Sequence, residues 1–511
     1  MMKMSLPLIA LALSGCGIGA PAPFAKDAET PPDVRHGAET SPSTDLPEED
    51  VPAGRGGAVP VIFDGRFDDW AGVPVAASDP AADGGPSGLD LTVLRMADDG
   101  ARLYLDLDLG KEIELDWGNG LSLFLCCDDV ADSAREIRWD FGFRSGSLVE
   151  GAQEKALTYG DLGFTAAPAT TASRFEVAMT LDALASLLGD CARDAVRLRI
   201  EDRTVGGDRL PDSGWLRFRP SGEALPAPPL PSLERTPGTL RVVTWNVLWS
   251  GIVDPSLTPH YRRVLQALDP DVIALQEILE HGEVHNLLLD WFPGEWWEYS
   301  GYGNVVTFSR YPRRWEWPGS YSPLDSRITA AAFDLPQAGM FVIFNAHLSF
   351  GDQDVERQQE ADSFIAYLRD LQTPGGAVDM PAGTPFVLVG DMNFVGDRAQ
   401  LETLLTGAIH DTETFGPSHA PDWDGTSLED RFALQAGRRD ACTWRAPDGD
   451  FWPGKLDYMI LPDSVVSVAG EFVLDTALLP DELLEAHGME RDDTDVSDHF
   501  PVVTDLVLPS R

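Results

Sequence analysis

The chain has 511 residues, too many for one hydrophobic core, so at least two domains joined by linkers are expected. Its 43% hydrophobic content is that of a folded protein, but 83 acidic against 38 basic residues leave a formal charge of −45. A surface this acidic repels polyanions and attracts divalent cations, which argues against a non-specific grip on duplex nucleic acid; solubility or a saline habitat accounts for the total. Lysine occurs only at Lys3, Lys26, Lys111, Lys155 and Lys455, so arginine carries the positive charge and no basic stripe is seen.

Residues 1–16 read as an export signal. Lys3 gives a short positive start and Ser5–Leu13 an apolar core too short to span a bilayer. The run Leu13–Ser14–Gly15–Cys16 resembles the bacterial lipoprotein box. That resemblance implies cleavage before Cys16, lipid on that cysteine, anchoring outside the cytoplasm and, with Gly17 next, sorting to the outer membrane. A plain secretory leader is the alternative. Residues 17–58 are rich in Pro, Ala, Ser, Thr and acids with almost no large apolar residue, a composition that predicts a disordered tether.

The next region reads as strands. Leu103, Leu105, Leu107 and Leu109 alternate with Tyr104, Asp106 and Asp108, the period of a half-buried strand. The turn at Asp98–Gly100 joins it to Leu89–Ala97 as a hairpin. Glu136–Arg144, Arg174–Leu181 and Ala195–Asp202 continue the pattern, with a short helix at Leu181–Gly189, so an all-β antiparallel sandwich is predicted over 59–220. Phe63–Val75 and Val205–Phe218 resemble the opening and close of family 9-type carbohydrate-binding modules. The resemblance implies a glycan or Ca²⁺ as ligand; a spacer is the competing role, with Asp64, Asp68 and Asp69 only shaping a turn. Apart from Cys16, four cysteines remain. Neighbours on a strand face opposite ways, so at most one of Cys126 and Cys127 can meet a given partner; a bridge to Cys191 fits an oxidising compartment, and Cys442 reads as buried and inert. Residues 221–238 are Pro-rich and form the expected interdomain linker.

From 239 to 511 apolar strands alternate with helices. Leu240–Trp249 contains Asn246; Asp271–Glu277 ends in Glu277; Met340–Asp352 contains His347; Thr384–Asp397 runs into Asp391 and Asn393; Gly454–Leu461 places Asp457 at a strand start; and Ser497–Val503 carries Asp498 and His499. Each alone has a bland reading as a turn former or capped strand end. Together, strands presenting polar ends in this way would gather carboxylates, an amide and imidazoles on one rim. Such oxygen donors suit Mg²⁺, which keeps waters that a phosphate can replace.

This order and spacing, with the stretches Asp269–Glu277, Gly303–Pro312 and Val387–Asn393, resembles the endonuclease/exonuclease/phosphatase superfamily, the fold of deoxyribonuclease I, exonuclease III and bacterial sphingomyelinases. The resemblance implies an α/β (α+β) four-layer β-sandwich flanked by helices, and a metal-dependent hydrolase of phosphate esters. It implies Glu277 as principal Mg²⁺ (or Mn²⁺) ligand with Asn246 and Asp498, and His499 held by Asp457. Asp391, with Asn393 and His347, completes the catalytic set. The His499–Asp457 pair either takes a proton from water or steadies the phosphoryl oxygens; Asp391 is the other candidate base. Val247–Trp249 after the first Asn, and His347 where repair nucleases carry a Tyr motif, favour the branch shared by deoxyribonuclease I, sphingomyelinases and inositol phosphatases. Lys455 replaces an Arg common in relatives. The expected substrate is a phospholipid head group, an inositol or sugar phosphate, or nucleic acid, acted on by a monomer. The alternatives are an extracellular nuclease and a non-catalytic, carbohydrate-binding surface lipoprotein. The aromatic run Trp291–Asn304, with Trp315 and Trp317, reads as packing rather than as a substrate groove. Activity is expected to follow the ionisation of His499, whose imidazole starts from its ordinary value of about 6.5 before its surroundings shift it.

Overall fold

A computed structural model of the chain describes residues 51–52, 58–80, 87–127, 135–295, 297–318, 327–376, 378–446 and 451–509, which belong to one compact unit. The leader, Cys16 and most of the tether lie outside them. Within the tether region, Val51–Pro52 pairs in parallel with Leu216–Phe218. Among the described residues no helix is long and apolar enough to cross a membrane.

The first half is the predicted all-β sandwich. One sheet is built around Leu121–Cys127 and Val196–Asp202, the other around Val93–Asp98, Arg102–Ile113 and Ala172–Thr180. Leucines 103, 105, 107 and 109 point into the core between them, against Leu123, Trp139 and Leu198. The other face of that strand departs from the half-buried expectation. Tyr104 packs with Val61, Phe63, Trp70 and Cys442, and Asp106 is fully buried between Arg95 and Arg174. Burial of a carboxylate is tolerated there because two guanidinium groups neutralise it. The helix forms at Leu181–Leu188, capped by the Thr180 side chain. Cys127 is bonded to Cys191, while Cys126 and Cys442 are buried outside the bridge. Asp64 accepts from Arg66 N and Asp69 from Ile62 N, so both shape the turn at Phe63–Gly72.

In the second half, the runs Leu240–Asn246, Val272–Gln276 and Phe386–Asp391 are buried throughout. Strands covered on both faces have no need to alternate, which is why these read as continuous apolar runs. They lie in two six-stranded sheets. The first runs Glu298–Tyr302, Val305–Ser309, Val272–Gln276, Leu240–Asn246, Val502–Val507, Ser467–Val473; the second runs Arg313–Pro318, Ile328–Leu335, Gly339–His347, Phe386–Asp391, Asp457–Leu461, Glu429–Asp430. Val242, Ala274 and Leu506 of one sheet meet Phe333, Ile343 and Val389 of the other. Helices Thr258–Leu268 and His281–Trp291 cover the first sheet, and Asp354–Gln372 the second. The result is the expected four layers. Trp291 and Trp297 are buried in this packing, as read from the sequence.

The two halves are tied together. Arg241 is buried and donates to both carboxylate oxygens of Asp505 and to Leu233 O, which pins the linker. Trp452 packs on Phe164 and Trp139 of the first sandwich, with ring centroids 5.1 and 6.5 Å apart. Thr165 Oγ1 donates to Pro453 O at 2.9 Å, Tyr159 Oη to Ala446 O, and Thr171 N to Gly396 O at 2.6 Å.

Candidate active site

Strand register aligns the polar ends. Within the second sheet His347 pairs with Asp391, and Asp391 in turn with Asp457; in the first, Asn246 pairs with Gln276, the residue before Glu277. Beneath them Gln276 reaches across to Asn345 at 2.7 Å, a buried amide link that locks the two sheets at this level.

Left-handed backbone is concentrated at this rim, with Arg144 and Asp269 the other non-glycine cases among the described residues. Leu248, Trp249, Ser250, Glu277 and Asn393 all have left-handed φ between 43 and 61°. For residues with a Cβ this costs on the order of 1–2 kcal/mol each, and such conformations gather at functional sites. The turn aims Glu277 so that Oε1 accepts from Asn246 Nδ2 at 3.0 Å and Oε2 from Trp249 N at 2.9 Å.

The second N–H of Asn246 goes to Asp391 Oδ2, also at 3.0 Å. That oxygen lies 3.5 Å from His499 Nε2 and 3.6 Å from His347 Nε2. Asp391 Oδ1 accepts from Asn393 N, whose side chain donates to Leu348 O. Burial raises the Asp391 carboxyl to about 7, partly opposed by His499. His499 Nδ1 is 2.8 Å from Asp457 Oδ2. Burial pulls that imidazole down, but Asp457 and then Asp391 outweigh it and lift it from the starting value of 6.5 to about 10. His347 goes the other way: buried, and facing Arg327 and His499, it falls to about 3 and stays neutral. With Asn304 Nδ2 2.7 Å from its Nδ1, the tautomer with a proton on Nε2 is the one that satisfies both groups, and this proton points toward Asp391 and Glu277.

The structure therefore brings Asn246, Glu277, His347, Asp391, Asn393, Asp457 and His499 into one connected cluster. Asp498 stands at its edge, without a hydrogen bond to the others. Its Oδ2 accepts from Trp444 Nε1 at 2.9 Å, and its Oδ1 is buried with no hydrogen-bond partner among the described residues. An orphaned carboxylate oxygen, a second carboxylate and an amide make a donor set that fits a hard divalent cation. A separate group, His260, Asp492 and Asp493, is an ion-pair cluster in which Arg263 clamps Asp493. Lys455 is buried against Asp430 and plays a structural part. Sequence reasoning missed Asn304 and Trp444. Asn304 stands at the start of a strand inside a stretch singled out above, which was its one signal; nothing local marks Trp444, whose role exists only through the loop that carries it.

Fold and site together define the class: a helix-flanked, two-sheet α/β sandwich with an Asn–Glu–His–Asp–Asp–His cluster at the strand ends. The chain belongs to the Endonuclease/Exonuclease/phosphatase family, whose model matches residues 243–499, half of its length. No curated protein sequence matches it. Solved structures similar to it include D. rerio TDP2 complexed with single-strand DNA product, at 15% identity over 53% of this chain and 99% of that one (TM-score 0.34). ANGEL2, a 2′,3′-cyclic phosphatase in complex with adenosine-2′,3′-vanadate, is 14% identical over 54% and 99% (TM-score 0.35). A family protein from Beutenbergia cavernae is 19% identical over 54% and 72% (TM-score 0.33).

Proposed function

We propose that this chain is a divalent-cation-dependent phosphoesterase, hydrolysing a phospholipid head group, an inositol or sugar phosphate, or nucleic acid. The observation that carries this is the buried His499, held between Asp457 and Asp391 beside the neutral His347. Asp391, lifted to about 7 by burial, is a carboxylate able to accept a proton near neutral pH, and it takes the proton of the attacking water. His499, carrying its proton at Nε2 and anchored at Nδ1 by Asp457, stabilises the negative phosphoryl oxygens as the ester P–O bond breaks. His347 donates from Nε2 to the same oxygens, with Asn304 fixing its tautomer. Glu277, with Asn246 and Asp498, would hold Mg²⁺ (or Mn²⁺), which supplies charge neutralisation at the leaving oxygen when bound. The enzyme works outside the cytoplasm, tethered through lipid on Cys16; the Cys127–Cys191 bridge supports an oxidising compartment.

The test is hydrolysis by the full chain, with and without Mg²⁺, of bis-p-nitrophenyl phosphate, p-nitrophenyl phosphate, sphingomyelin, inositol phosphates and plasmid DNA. Metal-dependent turnover that is lost in His499→Ala and Glu277→Gln is expected, and the preferred substrate assigns the class. Equal turnover in His499→Ala, or none in a folded, Mg²⁺-binding chain, overturns the proposal.

A further inference from the structure

Where the first sandwich, the linker and the C-terminal layers meet, they leave a cleft of about 540 Å³. Tyr104 and Tyr159 line it from the sandwich, Ala224 and Leu225 from the linker, and Arg438, Arg439 and Trp444 from the C-terminal half; none of the predicted site residues lines it. It reaches the candidate active site through Trp444, whose Nε1 donates to Asp498.

Its charge balance is unusual for so acidic a chain. Four aspartates face the cleft, and each is already engaged: Asp99 by Tyr104 Oη, Asp182 by Arg193, Asp440 by Arg102, and Asp475 by Arg445 and Ala477 N. Arg102 and Arg445 are thereby used as well. Two cations remain. The Arg439 guanidinium donates only to a carbonyl, Pro226 O, and the Arg438 guanidinium makes no hydrogen bond or ion pair among the described residues, although Arg438 is exposed and lines the cleft. Its setting disfavours the charge it carries, through partial withdrawal from water and then through Arg102. A guanidinium in that position gains from an anion with two acceptor oxygens, which its fork of donors matches. Beside it, the partly exposed Trp444 and the nearly buried Tyr159 offer flat apolar surface.

We propose that this cleft binds a small organic anion, its carboxylate or phosphate group held by Arg438 and Arg439 and its uncharged body resting against Trp444 and Tyr159. The wall it would touch is also the back of the active site. Trp444 Nε1 holds Asp498, Arg445 N donates to Asp498 O, and Phe500 N donates to Thr443 O. The proposal stands independently of the catalytic reading.

Calorimetric titration of the full chain, in buffer freed of metal by a chelating resin so that no soluble carboxylate competes, tests it. Glucuronate and glucose 6-phosphate separate carboxylate from phosphate as the anchoring group, and glucose serves as the uncharged control. At least one anion is expected to bind and glucose not to. Arg438→Gln, at an exposed position that leaves the fold intact, weakens binding at least about tenfold, the loss of one charge-assisted contact. His499→Ala leaves it unchanged, which separates this site from the phosphate-binding active site. No binding of either anion up to about 10 mM, well above the millimolar Kd of the weakest specific ligands, overturns the proposal. Equal binding of glucose, or equal affinity in Arg438→Gln, does so too.

Discussion

Replacing Asp457 with Asn keeps the shape of the side chain and removes the charge beneath His499. The two lie 2.8 Å apart with side-chain exposures of 5% for His499 and 0% for Asp457. Asp457 is the strongest of the influences that lift the imidazole from 6.5 to about 10. A group raised in this way contributes stability that is complete below pH 6.5 and is lost as pH climbs through about 10. Breaking one side of a buried charge pair costs roughly 3–5 kcal/mol, and the imidazole limits the damage by releasing its proton. Asp457→Asn is therefore expected to lower the His499 midpoint to near or below its ordinary value and to destabilise the metal-free chain by about 3 kcal/mol at pH 6. The deficit shrinks toward pH 10, where wild-type His499 also becomes neutral. Side-chain NMR of ¹⁵N-histidine-labelled protein reads the first effect, and urea unfolding across pH the second. With His499 neutral and its orientation unsupported, hydrolysis falls by roughly 10²–10⁴-fold. An unmoved midpoint, or a stability loss of the same size at every pH, would refute the electrostatic account and leave Asp457 as a packing residue.

Cys127→Ser opens a bridge spanning 64 residues, and loop-closure entropy puts its loss at roughly 4 kcal/mol, read as a lower urea midpoint that dithiothreitol reproduces in the wild type. Trp452→Ala empties a partly buried site against Phe164 and Trp139 and is expected to cost about 3 kcal/mol, at the low end for a large aromatic truncation. Because Trp452 sits five residues before Asp457, the same variant should slow hydrolysis without altering Cys127–Cys191, a pairing checked by thiol counting.

Much of this was legible in the sequence. The four-layer half announced itself because its strands are buried on both faces, and each ends in a residue that no core would keep without a partner. Asn246, Glu277, His347, Asp391 and His499 could be found for that reason. The opposite facing of Cys126 and Cys127 limited a bridge to Cys191 to one of the two, and only the fold selects Cys127. What escaped notice depends on contacts between distant segments. The strand Arg102–Ile113 alternates as if one side met water, yet Tyr104 and Asp106 are covered, because Cys442 and two arginines arrive from elsewhere in the chain. The same holds for His499. The direction and size of its shift from 6.5 could not be read, because only the fold sets both Asp457 and Asp391 within reach of the ring.

A proline-rich junction invites the view that two modules were strung together and could be traded separately. The seating of Trp452 between Phe164 and the loop leading to Asp457 contradicts that view. The first sandwich packs directly against the loop that leads to Asp457, so a substitution at Phe164 or Trp139 alters the surface on which that loop rests. Neither half can then be excised without uncovering apolar surface on the other.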